Sequence, residues 1–278
     1  MIQDIQPYIY KNSYVPIPPK EDSYVLVYAN GKVLLKEEDG KIQFPKFHEL
    51  ENENSHIYRE YIYLFSINEM TFYLVPHLIY KNLSGYHMEP VRSFRTLLPQ
   101  ELAFAGITGY QLYSWYKSRK FCGNCGKRML HDEKERMMRC SSCGQMEYPK
   151  ICPAVIVGIT NGNQLLLSKY AGRSFTNYAL IAGFTEIGET IEETVKREVM
   201  EEVGLKVKNL KYYKSQPWSF SDTILFGFFA ELDGKDEIVL QEDELSCAQW
   251  FEREKIPVYE KTVSLTNEMI LAFKNHKI

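Results

Sequence analysis

The sequence holds no apolar run near the roughly 18 residues that a membrane-crossing helix needs, so a membrane partner is not expected. Its opening, Met1-Ile2-Gln3-Asp4-Ile5-Gln6-Pro7, lacks the basic stretch and apolar segment of a secretory signal, and a cytoplasmic location is expected. Six cysteines in 278 residues are too few for a disulfide scaffold. There is no surplus of basic charge: 33 Lys and Arg stand against 36 Asp and Glu, net −3, which argues against a dedicated nucleic-acid binder but leaves room for a local basic patch. Internal repeats, low-complexity tracts and Gly/Ser linkers are missing as well. What remains is ordinary globular composition, 45% hydrophobic and 25% charged, in a chain long enough for about two domains. The aromatic share, 14% with 20 Tyr, fits either cores or a binding site.

The first hundred or so residues read as short strands. Tyr24 to Tyr28 and Val33 to Leu35 flank Asn30-Gly31, a hairpin signal, and Tyr58 to Phe65 and Thr71 to Val75 flank Asn68-Glu69. From Pro99 to Lys117 the pattern is helical. From Phe121 to Tyr148 the composition turns to Cys, Gly, Lys and Arg, a segment poor in core residues. Beyond it come strands at Ala154 to Ile159, Gln164 to Lys169, Tyr178 to Ala182, Val207 to Lys214, Thr223 to Glu231 and Cys247 to Phe251, with helices at Thr190 to Val203 and Val263 to Asn275. This order predicts an α/β sheet covered by helices. Three domains are expected: an N-terminal α+β domain over 1–117, a small metal-held segment over 118–147 and an α/β domain over 148–278.

Cys122-Gly-Asn-Cys125 and Cys140-Ser-Ser-Cys143 are separated by fourteen residues. Two thiolates spaced by two residues share one ion through a tight turn, and two such turns complete a tetrahedral zinc site. Cysteine fills all four positions, so the zinc is expected to be structural, supplying folding energy that this small segment cannot get from burial. Lys117, Arg119, Lys120, Lys127, Arg128, Lys134, Arg136 and Arg139 make the region locally basic, which keeps nucleic-acid binding open. Cys152 and Cys247 have no partner at ligand spacing and are expected to be small buried hydrophobes.

The most informative stretch runs from Gly183 to Leu205. Thr190 followed by Glu193 is a capping box that starts a helix, Gly204 suits the left-handed residue that ends it, and Ile191, Val195, Val199 and Val203 form its buried stripe. Glu198, Glu201 and Glu202, spaced i, i+3, i+4, meet beside that stripe. Crowded carboxylates repel one another and attract a hard divalent cation, Mg²⁺ or Mn²⁺. Gly183, Glu189, Arg197, Glu198, Val199, Glu201, Glu202, Gly204 and Leu205 fall at every constrained position of Gly-x5-Glu-x7-Arg-Glu-U-x-Glu-Glu-x-Gly-U, where U is apolar. This resembles the Nudix box, the signature of hydrolases that cleave nucleoside diphosphates linked to another moiety. The resemblance implies an α/β/α sandwich with this loop and helix at its active site.

Downstream, Ser215-Gln216-Pro217-Trp218-Ser219-Phe220-Ser221-Asp222-Thr223 resembles the Ser-Gln-Pro-Trp-Pro-Phe-Pro-x-Ser array of the NADH pyrophosphatase branch, with Ser219 and Ser221 in place of prolines and Thr223 in place of serine. An N-terminal domain, a four-cysteine ribbon and a Nudix domain, in that order, also resemble this branch. The resemblance implies hydrolysis of NADH or NAD⁺ to nicotinamide mononucleotide and AMP. It implies Glu198, Glu202, Glu244 and the Ala182 carbonyl as ligands of the catalytic ions, and Arg197 as the group that holds the carboxylates, through Glu189. Glu201 is either a further ligand or the base that orients water. Implied substrate contacts are Tyr148 and Phe184, clamping an aromatic base, the stretch from Gln216 to Thr223, Ser264, and Arg92, with Arg95 as its rival. The Tyr reaches across from a second subunit in that branch, so a homodimer is implied. Removal of NAD caps from RNA by the same site is the enzymatic alternative. ADP-ribose, nucleotide sugars and dinucleoside polyphosphates remain further substrates, and a Nudix scaffold kept without catalysis is disfavoured by the intact glutamate set.

Overall fold

The computed structural model describes residues 1–81, 83–172, 177–257 and 263–278. The chain divides into two compact units, one formed by residues 2–150 with 219–221, the other by Met1, 151–218 and 222–278. Among the described residues no helix is long and apolar enough to cross a membrane.

In the first unit, Ile62–Ile67 and Met70–Leu74 pair antiparallel around Asn68, flanked by Tyr10–Lys11 and Tyr24–Val25. A second small sheet joins Tyr28–Ala29, Lys32–Glu38, Lys41–Gln43 and His87–Pro90. Asn30 and Gly31, at φ 49° and 72°, turn its first hairpin as a primed turn demands. The single strand expected over Tyr24 to Tyr28 is two. Leu26 donates its N–H to Tyr73 in one sheet and Val27 accepts from Leu34 in the other, so the chain crosses between sheets there. Helix α1, Gln100–Ser118, begins just after Pro99 and buries Leu102, Ile107, Leu112 and Trp115. A Cβ on Gly106 would lie 2.2 Å from the Phe94 ring, so only glycine permits this approach.

The cysteine segment belongs to the same unit. Strands β1 (Met129–His131), β2 (Met138–Cys140) and β3 (Met146–Glu147) form a three-stranded antiparallel sheet with β2 in the centre. The Arg136 guanidinium ties it to the N-terminal strands, donating to the Leu64 carbonyl and to Asn12.

The second unit is built on strands β4 (Cys152–Asn161), β5 (Gln164–Tyr170), β6 (Ile181–Phe184), β7 (Val207–Trp218), β8 (Thr223–Leu232) and β9 (Leu245–Glu252). Their order is β7-β8-β4-β5-β9, and β4 runs parallel to β8. The sheet forks at β4, whose end pairs with β5 at Thr160 and Asn161 while residues 154–157 pair with β6. Alternation along β4 sends Val155, Val157 and Ile159 to one face and Ile156 to the other. Helix α2 (Ile191–Val203) covers the first face with Val195, Val199 and Val203, all at 0% exposure. Helix α3 (Leu265–Lys274) covers the second with Leu265, Met269, Ile270 and Phe273. Each such side chain contributes about 1.5–3 kcal/mol by burial. This is the α/β/α sandwich expected from the sequence. Cys152 and Cys247 correct the reading made of them: both are half-buried, because Cys152 opens β4 and Cys247 lies on the edge strand β9, which has a neighbour on one side only.

Candidate active site and metal centre

Helix α2 starts as its sequence dictates. The Thr190 side chain accepts the Glu193 N–H at 3.2 Å and Glu193 accepts the Thr190 N–H at 2.8 Å, a closed capping box. Gly204, at φ 68°, ends it in the left-handed conformation glycine adopts freely.

Arg197 organises what lies between. Its Nε and one terminal nitrogen grip both oxygens of Glu189 at 2.6 and 2.9 Å, and that same terminal nitrogen donates to the Phe184 carbonyl at 2.8 Å. Its other terminal nitrogen donates to Glu198 and to Glu201, each at 2.8 Å. A bidentate guanidinium–carboxylate pair fixes orientation as well as charge. Glu198 and Glu202 are buried, at 8% and 2% exposure, whereas Glu201 faces solvent. At about 100° per residue the first two flank the valine stripe and Glu201 turns away from it. Burial pushes the Glu198 carboxyl above its ordinary range; Arg197 opposes this, and the charges of Glu201 and Glu244 add to it.

Glu189 shows the opposite shift. The Arg197 hydrogen bond, with help from the Glu186 N–H and the Thr194 hydroxyl, lowers it from 4.5 to about 2. A depressed carboxylate stabilises the fold above its unfolded value, and that contribution is lost as pH falls through the folded one. The gap in Tm between wild type and Glu189→Gln is therefore expected to hold from pH 7 to about 5 and to close from 4.5 toward about 2. A gap that widened in acid would contradict this geometry.

Glu244 is positioned through the backbone. The Val239 and Gln241 N–H groups bond the carbonyls of Val203 and Glu202 at 3.0 Å each, capping the end of α2. The Glu244 N–H then bonds Gln241, and the Ala171 N–H bonds the Glu244 carbonyl at 2.8 Å. The Trp250 indole holds the strap upstream, donating to the Asp236 carbonyl at 3.1 Å. Residues 182–184 run beside the carboxylates: a Cβ on Gly183 would lie 1.9 Å from the Glu198 carboxyl carbon. Phe184 is 54% exposed. The donors are oxygens, partly desolvated, chemistry that suits a hard divalent cation, although among the described residues these carboxylates do not close up into a cluster of three ligands.

The four cysteines do converge as their spacing implies. Their Sγ atoms all lie within 4.8 Å of one another, the one such cluster of possible ligands among the described residues. The two turns match: the Gly126 N–H bonds the Cys122 carbonyl and the Gly144 N–H bonds the Cys140 carbonyl, both at 2.9 Å, with both glycines at positive φ. Soft thiolates in this arrangement fit zinc.

The remaining expected residues are spread more widely. The Gln216 side chain is fully buried. Its amide donates to the Val263 carbonyl at 2.8 Å and its oxygen accepts the Leu265 N–H at 2.7 Å, so it clamps the start of α3 to β7. Ser264 is the N-cap of α3. Trp218 and Thr223 pair across the β7–β8 hairpin, whose turn holds Ser219, Phe220, Ser221 and Asp222; Pro217 and Ser221 are exposed. Arg92 and Arg95 are both exposed, and the Arg95 guanidinium lies 4.9 Å from the Phe220 ring. The Tyr148 hydroxyl donates to Glu135 at 2.8 Å. Neither Glu135 nor the 239–241 cap was apparent from the sequence, since neither falls at a fixed offset from a motif.

Comparison with known proteins agrees with this layout. Residues 150–273 match the NUDIX domain and residues 117–148 the NADH pyrophosphatase zinc ribbon domain. The chain is 40% identical over 190 residues to the NAD-capped RNA hydrolase NudC of Pseudomonas aeruginosa (strain LESB58), covering 68% of this chain and 67% of that protein. It is 37% identical over 179 residues to the protein of the same name from Haemophilus influenzae (strain PittGG), covering 63% and 67%. Among solved structures, a NUDIX hydrolase from Nitrosomonas europaea is similar, at 21% identity and a TM-score of 0.49, over 57% of this chain and 92% of that one.

Proposed function

The chain belongs to the Nudix hydrolase family, in the branch that carries the NADH pyrophosphatase zinc ribbon, and from that premise we propose that it hydrolyses the diphosphate bond of NAD(H). Water adds to one phosphorus, the bridging P–O bond breaks, and nicotinamide mononucleotide and AMP leave. The observation that carries this reading is the Arg197-centred cluster, in which one guanidinium holds Glu189, Glu198 and Glu201 beside the buried Glu202.

Glu198, Glu202, Glu244 and the Ala182 carbonyl would hold Mg²⁺ or Mn²⁺. Such ions neutralise the diphosphate and acidify bound water. Glu201, exposed and tethered to Arg197, would either complete that ligand set or act as the base that orients the attacking water. Arg197 fixes the carboxylates so that none swings away when the charge balance changes. Gln216 sets the β7–β8 hairpin against α3, and the segment from Pro217 to Thr223 supplies the wall that reads the dinucleotide. Arg92 or Arg95 and Ser264 contribute polar contacts. Phe184, exposed beside the carboxylates, offers a ring for base stacking. Tyr148 supplies the opposing ring from the second copy of a homodimer, and the enzyme works in the cytoplasm. Removal of NAD caps from RNA is the second reading, favoured by the activity for which both bacterial relatives are named.

The test compares kcat/KM for NADH, NAD⁺, ADP-ribose and NAD-capped RNA with Mg²⁺ or Mn²⁺ present. NADH or NAD⁺ should lead the small molecules; preference for ADP-ribose would overturn the assignment. The two metal sites should also separate. Chelating zinc is expected to lower Tm and expose residues 118–147 to protease, because the ion supplies that segment's folding energy. The protein that remains should still depend on Mg²⁺ or Mn²⁺, read as rate against added metal.

A further inference from the structure

Residues 117–148 carry eight basic side chains against four acidic ones, net +4, in a chain of net −3. Four thiolates around a Zn²⁺ subtract two, so the ribbon is still +2 while the rest of the chain is −7. The structure sorts these cations. Arg136 is bound to Asn12 and the Leu64 carbonyl, Arg139 lies 3.4 Å from Asp132, Arg119 lies 3.6 Å from Glu147, and the Lys117 ammonium sits over the Tyr113 ring. Lys120, Lys127 and Arg128, and Lys134 within the acidic turn at 132–135, are exposed and make no ion pair among the described residues.

Of these, Arg128 lies directly across from an unusual side chain. Phe121 is 67% exposed and pairs directly across an isolated bridge with Arg128. Along the same hairpin, Leu130 opposes Arg139, which opposes Met146. Leu130 is 53% exposed and Met146 46%, while Cys122, Met129, Met138 and Cys140, on the other face, are buried. Strand alternation thus turns one face inward to the metal and core, and aims Phe, Leu, Met and two arginines at solvent. The acidic stretch Asp132, Glu133 and Glu135 lies at the far end of the hairpin from the Phe121 corner.

An exposed ring set beside an unpaired cation is a composition that binds single-stranded nucleic acid: the ring stacks a base and the cation meets a phosphate. We infer that the outer face of the ribbon, centred on Phe121 and Arg128, is a docking surface for single-stranded RNA. This rests on the decapping reading for the identity of the polymer. A second copy of this chain is the competing occupant, and it would need a carboxylate for this cation.

The experiment uses the full-length, zinc-loaded protein and a fluorescein-labelled, 5′-monophosphorylated single-stranded RNA 12-mer with no dinucleotide, so binding is read apart from cleavage. Phe121→Ala combined with Arg128→Glu should weaken the Kd by on the order of tenfold or more. The slope of log K against log salt should fall by about 0.7 for each phosphate that is no longer neutralised. Phe121→Tyr should bind as wild type does. Zinc content and kcat/KM for free NADH should stay unchanged, while KM for NAD-capped RNA rises. RNA affinity unaltered in the double variant would overturn the inference, as would a face that releases a second copy, seen as halved mass by light scattering, with RNA affinity retained. Wild-type protein that cleaves NADH but not capped RNA would remove the decapping reading, and the 12-mer titration would still decide the surface.

Discussion

Glu202→Gln should lower kcat for NADH by on the order of a thousandfold, roughly 4 kcal/mol of barrier, and leave the fold intact. The exchange replaces one carboxylate oxygen with an amide nitrogen and preserves shape. Glu202 is 2% exposed, on the same helix face as Glu198, whose carboxyl is already pushed upward by burial. Removing one negative charge there relieves repulsion in the metal-free protein, so its Tm should not fall. The gain in Tm on adding Mn²⁺ should shrink, since binding to the native state stabilises it by mass action. Wild-type turnover in this variant would sink the site assignment.

Gly183→Ala carries the second large effect, and it separates catalysis from stability. A Cβ at this position would stand 1.9 Å from the Glu198 carboxyl carbon and 2.1 Å from both its oxygens. Gly183 is paired with Val155 in the β4–β6 ladder, so its backbone is held in register. The soft partner is the Glu198 side chain, which can rotate out at a modest cost, about 1 kcal/mol. The expected result is a small change in Tm with kcat lowered a hundredfold or more, because a displaced carboxylate no longer meets the ion or Arg197. In a double-mutant cycle, Gly183→Ala added to Glu198→Ala should cost almost nothing further, since both remove the same carboxylate from the same place. Losses that simply add would show that the alanine acts elsewhere. Gly204→Ala offers a contrast. Its Cβ would meet Val239 at 2.8 Å in a residue at φ 68°, so strain and a lower Tm are expected.

Much of this molecule could be read from its residues because the relevant rules are short in range. Thr190 and Glu193 close a box three residues wide, Gly204 terminates the helix, and two Cys-x-x-Cys turns need only their own glycines to aim four thiols. The Nudix box is likewise a pattern of fixed offsets, and the Arg197–Glu189 pair lies within it. Strand ends were less legible. The stretch from Tyr24 to Tyr28 is apolar throughout, so it carries no alternation to mark where it leaves one sheet for another.

The amino-acid order determined the chemistry available: which residues are acids, which helix carries them, and which thiols share an ion. The tertiary structure decided depth and partnership. Helical angle places Glu198 and Glu202 beside the valines, but only packing against β4 and β6 makes them buried and leaves Glu201 in water. Glu244 is distant from the helix in the chain, and it arrives through backbone bonds to carbonyls that any sequence possesses. Gln216 turns inward to clamp α3 because Val263 and Leu265, far along the chain, meet its amide. Periodicity gives a side chain its direction around its own axis, whereas its surroundings depend on which other segment folds against it.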